Sequence, residues 1–150
     1  MGLIADLGKG PIGLDTSIFI YFIEEHPDFV ELVAPIFGAM DDGKCSAVTS
    51  TLTLLETLVV PYRAGDALLA ERYESLLTRS RGLALVELGR SVLRAAAQLR
   101  ALFRVRTPDA LQLASALAAG CTSFLTHDRD LPQVPGIRVL QLGDYLENKR

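Results

Sequence analysis

The sequence predicts an α/β fold in which a parallel sheet carries helices on its faces. Short apolar runs of strand length alternate with longer stretches of helical periodicity along the whole chain. Acidic residues recur at strand ends and in the first turns of helices, on the edge of a parallel sheet at which binding sites form. Size agrees: 150 residues, 49% of them hydrophobic, with a mean hydropathy of +0.28, suffice for one folded domain.

Each element has its own signal. "PIGLDTS" is a short strand ending at Asp15, and "SIFIYFIEEH" an apolar helix closed before Pro27. "DFVELVAPIFGAMDDG" is a second helix, stopped by the turn residues Asp41, Asp42 and Gly43. "KCSAVTS" returns to strand pattern, and "TLTLLETLVVPYR" is a helix whose end is marked by Pro61. In "DALLAERYESLLTRS" the apolar residues Leu68, Leu69, Tyr73, Leu76 and Leu77 recur at helical spacing. "LALVEL" is a short buried strand and "RSVLRAAAQLRALFR" a helix with arginines on its polar side. "TPDALQLASALAAG" has Thr107 as N-cap, Pro108 in the first turn, Asp109 against the positive helix end and Gly120 as terminator. "CTSFLT" and "IRVLQL" are the last strands, and "GDYLEN" a final short helix.

Several functional classes are excluded by composition. The longest apolar stretch, around residues 113–125, is interrupted by Ser115, Gly120, Thr122 and Ser123 and is shorter than the roughly 20 residues a membrane helix needs. The N-terminus lacks a basic segment followed by a long apolar one, so a soluble, cytoplasmic protein with no membrane contact is expected. Residues 1–10, "MGLIADLGKG", precede the first strand as an N-terminal extension of a single domain spanning 1–150. Cys45 and Cys121 read as reduced, buried thiols, and neither they nor His26 and His127 have zinc-ligand spacing.

The net charge of −3 conceals an uneven distribution. Residues 1–60 carry two lysines against nine acids, whereas residues 61–106 carry nine arginines against four acids. The basic segment, with Arg79, Arg81, Arg90, Arg94, Arg100, Arg104 and Arg106, reads either as solvated helix faces or as a phosphate-contacting surface.

Four carboxylates share a topological position. Asp15 ends the first strand, Asp128 follows "SFLT", Glu56 lies one turn into the helix after "KCSAVTS", and Asp109 opens the helix leading into "SFLT". Individually, Asp15 can be a helix cap, Glu56 a solvent-facing residue, Asp109 a partner of the helix dipole and Asp128 a loop acid. Together they repel one another unless a cation sits among them. Hard magnesium or manganese ions suit such oxygen ligands, and the chemistry that follows is phosphodiester hydrolysis.

The segments "GLDTSIFIYFIE", "LTLLETLVVP", "RTPDALQLASALAAGCTSFLTHDRDL" and "IRVLQL", in that order, resemble the PIN-domain family, and within it the VapC-type toxin ribonucleases. The resemblance covers almost the whole chain. It implies a three-layer α/β/α fold with a central parallel sheet of about four to five strands. It also implies a metal site at Asp15, Glu56, Asp109 and Asp128, with Thr126 orienting a water or carboxylate and Asp130 as an additional nearby acid. The implied activity is Mg2+- or Mn2+-dependent endoribonuclease cleavage, with Arg90, Arg94, Arg104 and Arg106 holding the RNA backbone. The implied partners are an RNA substrate, a cognate antitoxin protein and a second copy in a homodimer. The alternatives are a PIN-fold RNA-processing nuclease outside any toxin system and a non-catalytic RNA- or protein-binding module. A phosphate-receiver domain is disfavoured, since the chain has no lysine between Lys44 and Lys149. His127 carries no expected catalytic role.

Overall fold

The computed structural model describes residues 2–146. Its centre is a five-stranded sheet in the order β3-β2-β1-β4-β5, all strands parallel. The strands are β1 (Ile12–Leu14), β2 (Ala47–Ser50), β3 (Leu83–Val86), β4 (Ser123–Thr126) and β5 (Arg138–Gln141). Between them run α2 (Thr16–Ile23), α3 (Val30–Asp41), α4 (Leu52–Ala64), α5 (Ala67–Arg79), α6 (Arg90–Leu102) and α7 (Thr107–Ala118), with α1 (Leu3–Leu7) in front. The order places β1 in the middle, with β2 and β3 on one side and β4 and β5 on the other. The winding therefore reverses beside β1, which is where an open α/β sheet leaves a crevice outside its strand ends.

Strand alternation makes the expected three layers. Ile12, Leu14, Ala47 and Leu125 face one core with Ile18, Phe19, Val33, Ile36 and Met40 of α2 and α3. Val48, Phe124 and Val139 face the other with Val92, Ala96, Ala110, Leu113 and Ala114 of α6 and α7. A small third cluster, Leu58, Ala70 and Tyr73, joins α4 and α5, and Tyr73 donates its hydroxyl to Glu24 beyond α2.

Several boundaries differ from the sequence reading. The N-terminal extension contains α1, which buries Leu3 and Leu7 in the first core and accepts the Tyr145 hydroxyl on Asp6 at 2.6 Å. Helix α2 stops at Ile23 because the chain turns through Glu25, whose φ of 49° is left-handed. Pro61 does not end α4; it is buried inside the last turns, and the helix closes at Gly65 with φ 67°. Arg106 rather than Thr107 occupies the N-cap of α7, without a side-chain cap bond, while Thr107 and Pro108 begin the helix. "LALVEL" forms the edge strand of the sheet, where Leu83, Leu85 and Val86 are only partly buried against the cores. The last element is a 3-10 helix over Leu142–Tyr145; residues 147 and 148 of the expected "GDYLEN" helix lie outside the described residues. Both cysteines are free, Cys121 buried and Cys45 half-buried.

Gly13 sits where β1 meets α7 most closely. A Cβ there would stand 2.6 Å from Phe124 Cδ1 and 2.9 Å from Ala116 Cβ. Neither neighbour has room to retreat, since both are buried. Gly13→Ala is expected to lower stability by roughly 1–3 kcal/mol, read as an earlier midpoint in urea unfolding with an unchanged slope.

Candidate functional site

Outside the carboxyl ends of β1 and β4, a cleft of about 370 Å3 is lined by Asp15, Thr16, Ser17, Tyr21, Glu56, Arg106, Pro108, Asp109, Gln112, His127 and Asp128. Its four acids arrive from four separate elements. Asp15 leaves the central strand, where its N–H donates to Leu125 O at 3.0 Å, and then caps α2 by accepting from Thr16 N at 2.8 Å. The cap reading of Asp15 is thus realised through Oδ1. Oδ2 accepts the Thr126 hydroxyl at 2.6 Å, and Thr126 Oγ1 accepts the Asp128 N–H at 3.0 Å. Thr126, fully buried, therefore joins two of the acids through one hydroxyl.

A buried polar network sets Glu56. The Gln112 amide on α7 donates to Thr16 Oγ1 at 3.1 Å and to Thr53 Oγ1 at 2.8 Å, while its Oε1 accepts Ser50 Oγ at 3.0 Å. Thr16 has one proton, and it goes to Glu56 Oε1 at 2.6 Å. Thr49 spends its proton on Leu14 O at 2.9 Å, so the Thr53 hydroxyl donates across the 2.7 Å contact to Thr49. The donations run in one direction, from Gln112 through Thr16 to Glu56. Sequence reasoning missed Thr16, Thr53 and Gln112. Their signal was present: Gln112 follows Asp109 by one helical turn in an apolar helix, and Thr53 precedes Glu56 by the same spacing.

Two of the acids, Asp109 and Asp15, hold a proton more tightly than a free carboxyl does. Burial pushes the Asp109 carboxyl up to about 6, and the charges of Asp128 and Asp15 add to it against the opposing Arg106. Burial raises Asp15 too; the hydrogen bonds from Thr126 and Thr16 oppose this, and the Glu56 and Asp128 charges reinforce it. Burial, helped by Asp15, keeps the Tyr21 phenol above its usual value. The exposed Arg106 guanidinium stands 3.4 Å from Asp109 and 3.5 Å from Asp128. Among the described residues it is the cation that meets the acids directly.

The sequence model of the PIN domain family matches residues 12–137. The chain belongs to the PIN domain family. This PIN domain is similar in fold to three solved complexes. Against VapBC2 from Rickettsia felis bound to a DNA fragment from its promoter, identity is 15% with a TM-score of 0.68, over 87% of this chain and 97% of that chain. A toxin–antitoxin complex from Klebsiella pneumoniae matches at 18% identity and TM-score 0.64, over 87% and 96% of the two chains. DNA-bound VapBC from Salmonella typhimurium matches at 21% and 0.59, over 87% and 97%. No curated protein matches the chain in sequence.

The PIN fold brings Asp15, Glu56, Asp109, Asp128 and Thr126 together, but it distributes the other sequence-derived candidates differently. Asp130 is exposed and does not line the cleft; its N–H donates to Asp128 Oδ1 at 2.9 Å, so it steadies that acid through its backbone. Of the four arginines singled out, Arg106 alone lines the cleft. Arg90, Arg94 and Arg104 are exposed on and after α6. Arg100 bonds Val105 O at 3.1 Å, which pins the turn between α6 and α7.

Proposed function

We propose that this PIN domain, a single domain spanning the chain, is a divalent-metal-dependent endoribonuclease that cuts RNA in the cytoplasm. We propose further that it is the toxin of a toxin–antitoxin pair, held by a cognate antitoxin and active as a homodimer. The observation that carries the catalytic reading is the convergence of Asp15, Glu56, Asp109 and Asp128 on one cleft at the sheet's switch point. The toxin reading is supported by its structural relatives, described as VapBC or toxin–antitoxin complexes. Exposed apolar side chains on α4 and at the start of α5, namely Leu55, Val59, Val60, Tyr62 and Leu68, offer surface for the protein contacts.

The residues fit a hard cation. The cleft offers carboxylate oxygens, and the burial that chiefly raises Asp15 and Asp109, together with the neighbouring carboxylate charges, is offset by a bound positive charge. Among the described residues no group of three or more histidine, cysteine, aspartate or glutamate side chains stands in position to hold a metal ion, and Asp109 and Asp128 pair with Arg106 instead. Asp15, Glu56, Asp109 and Asp128 would hold Mg2+ or Mn2+, with Asp130 behind them. When bound, the ion supplies positive charge for the phosphoryl oxygens and makes water a stronger acid.

The chain's own groups position these parts. Thr126 and the α2 N-terminus hold both oxygens of Asp15, and Thr16 fixes Oε1 of Glu56. Arg106 is placed to leave its acids for a backbone phosphate, a bidentate partner suited to guanidinium. Arg90, Arg94 and Arg104 extend the basic surface along α6 and the following turn.

Purified protein incubated with total RNA should degrade it with Mg2+ or Mn2+, stop when chelator is added, and fall below detection as Asp15→Asn. RNA left intact with every metal by a folded, antitoxin-free sample would sink the nuclease reading.

A further inference from the structure

Four rings gather at one wall of the acidic cleft, and neither the acids nor the hydrogen-bond network uses them. Tyr21 comes from α2, His26 and Phe29 from the turn before α3, and His127 from the end of β4. Tyr21 and Phe29 stack at 4.9 Å and 18°. His127 meets Phe29 edge-on at 4.6 Å and Tyr21 at 5.7 Å, while His26 lies 4.8 Å from Tyr21. Phe29 is buried, whereas Tyr21, His26 and His127 are each only partly covered. Tyr21 and His127 line the same cleft as Asp15 and Asp128.

We propose that Tyr21 and His127, backed by Phe29 and His26, form a stacking subsite for one unpaired base of the RNA beside the bond that is cut. This deepens the nuclease reading and rests on it. Two physical considerations favour a base over a phosphate here. The phosphate of the bond that is cut belongs with the cation held by the acids and with Arg106, which leaves the adjoining base to neutral contacts on the cleft wall. Aromatic and histidine rings supply such contacts, since every base has a π-face and unpaired RNA is recognised largely by stacking. The second observation is that Tyr21 and His127 keep partly exposed rings on the cleft wall while Phe29 behind them is buried.

The test is a set of short single-stranded RNAs, each with an abasic ribose at one position, cleaved in Mg2+ by wild type, Tyr21→Leu, His127→Ala and Tyr21→Phe. On intact RNA, Tyr21→Leu and His127→Ala should raise KM by roughly 5- to 150-fold, the range that one base stack spans, with kcat little changed. Tyr21→Phe should restore most of the loss. At one abasic position, wild type should fall to the level of the two defective variants, and their disadvantage should vanish. Thermal melting identifies a variant that has merely unfolded, and the second site then carries the comparison. Variants whose deficits persist unchanged at every abasic position would overturn the stacking subsite while leaving the nuclease intact. Wild type that neither binds nor cuts any of the RNAs would overturn both.

Discussion

Asp109→Asn should abolish RNA cleavage while making the metal-free protein more stable at neutral pH. The two effects share one cause. The Asp109 carboxyl, raised to about 6 from 3.8 by burial and then by Asp128 and Asp15, binds its proton more tightly in the folded chain than in the unfolded one. Its favourable contribution is therefore complete below about pH 4 and is lost as pH rises through about 6. Above that range the folded protein keeps a partly buried carboxylate among carboxylates, and asparagine removes both the burial cost of the charge and the repulsion at nearly constant shape. Because Asp109 is only partly enclosed, solvent screening reduces the gain to the order of 1 kcal/mol, or about 2–4 °C in Tm. The gap between variant and wild type should close at pH 4, where both side chains are neutral. Adding Mg2+ at pH 7.5 should raise Tm for wild type and much less for the variant, since a ligand that binds the folded state alone stabilises it. A variant no more stable than wild type at pH 7.5 without metal would contradict the repulsion assigned to this cleft.

What could be read from the sequence follows from the range over which each signal acts. Asp15, Glu56, Asp109 and Asp128 could be placed because each lies just past a strand or in the first turns of a helix, a local feature, and the parallel topology then brings those strand ends and helix starts to one edge. The five strands were visible for the same reason. Helix α1 was not, since five residues are too few to show a period, and only the distant Tyr145 and the core around Leu3 and Leu7 make it a helix. Pro61 misled because it sits where one missing hydrogen bond near a helix end is tolerated, with Gly65 supplying the real stop. The ring cluster joins residues 21–29 to residue 127, and the Gln112 network joins residues 16, 50, 53 and 112. The one-turn spacings of Thr53 to Glu56 and of Gln112 to Asp109 are visible in the sequence, but which residues meet across the elements is revealed only by the folded chain.

Gln112 yields the second large effect, and it separates holding the fold from holding the site. Gln112→Leu keeps the volume and the apolar packing on α7 but removes three hydrogen bonds, to Thr16, Thr53 and Ser50. The Ser50 hydroxyl, fully buried, then loses its acceptor, and the cost is roughly 1–3 kcal/mol of folding stability. Thr16 meanwhile loses the donor that orients it towards Glu56, so its proton is free to turn to Thr53 instead. Released in this way, Glu56 should bind metal more weakly, and the Mg2+ concentration for half-maximal cleavage should rise about 10- to 100-fold, as for other partners that orient metal ligands. Thr16→Ser retains the hydroxyl and should keep near-wild-type Mg2+ dependence, whereas Thr16→Val, which deletes it, should behave like Gln112→Leu. If Gln112→Leu melts earlier yet needs no more Mg2+, the network holds α2, α4 and α7 together and leaves Glu56 to position itself. A raised Mg2+ requirement in both Gln112→Leu and Thr16→Val, with Thr16→Ser spared, would instead assign the buried amide to the acidic site, reaching it through a single hydroxyl.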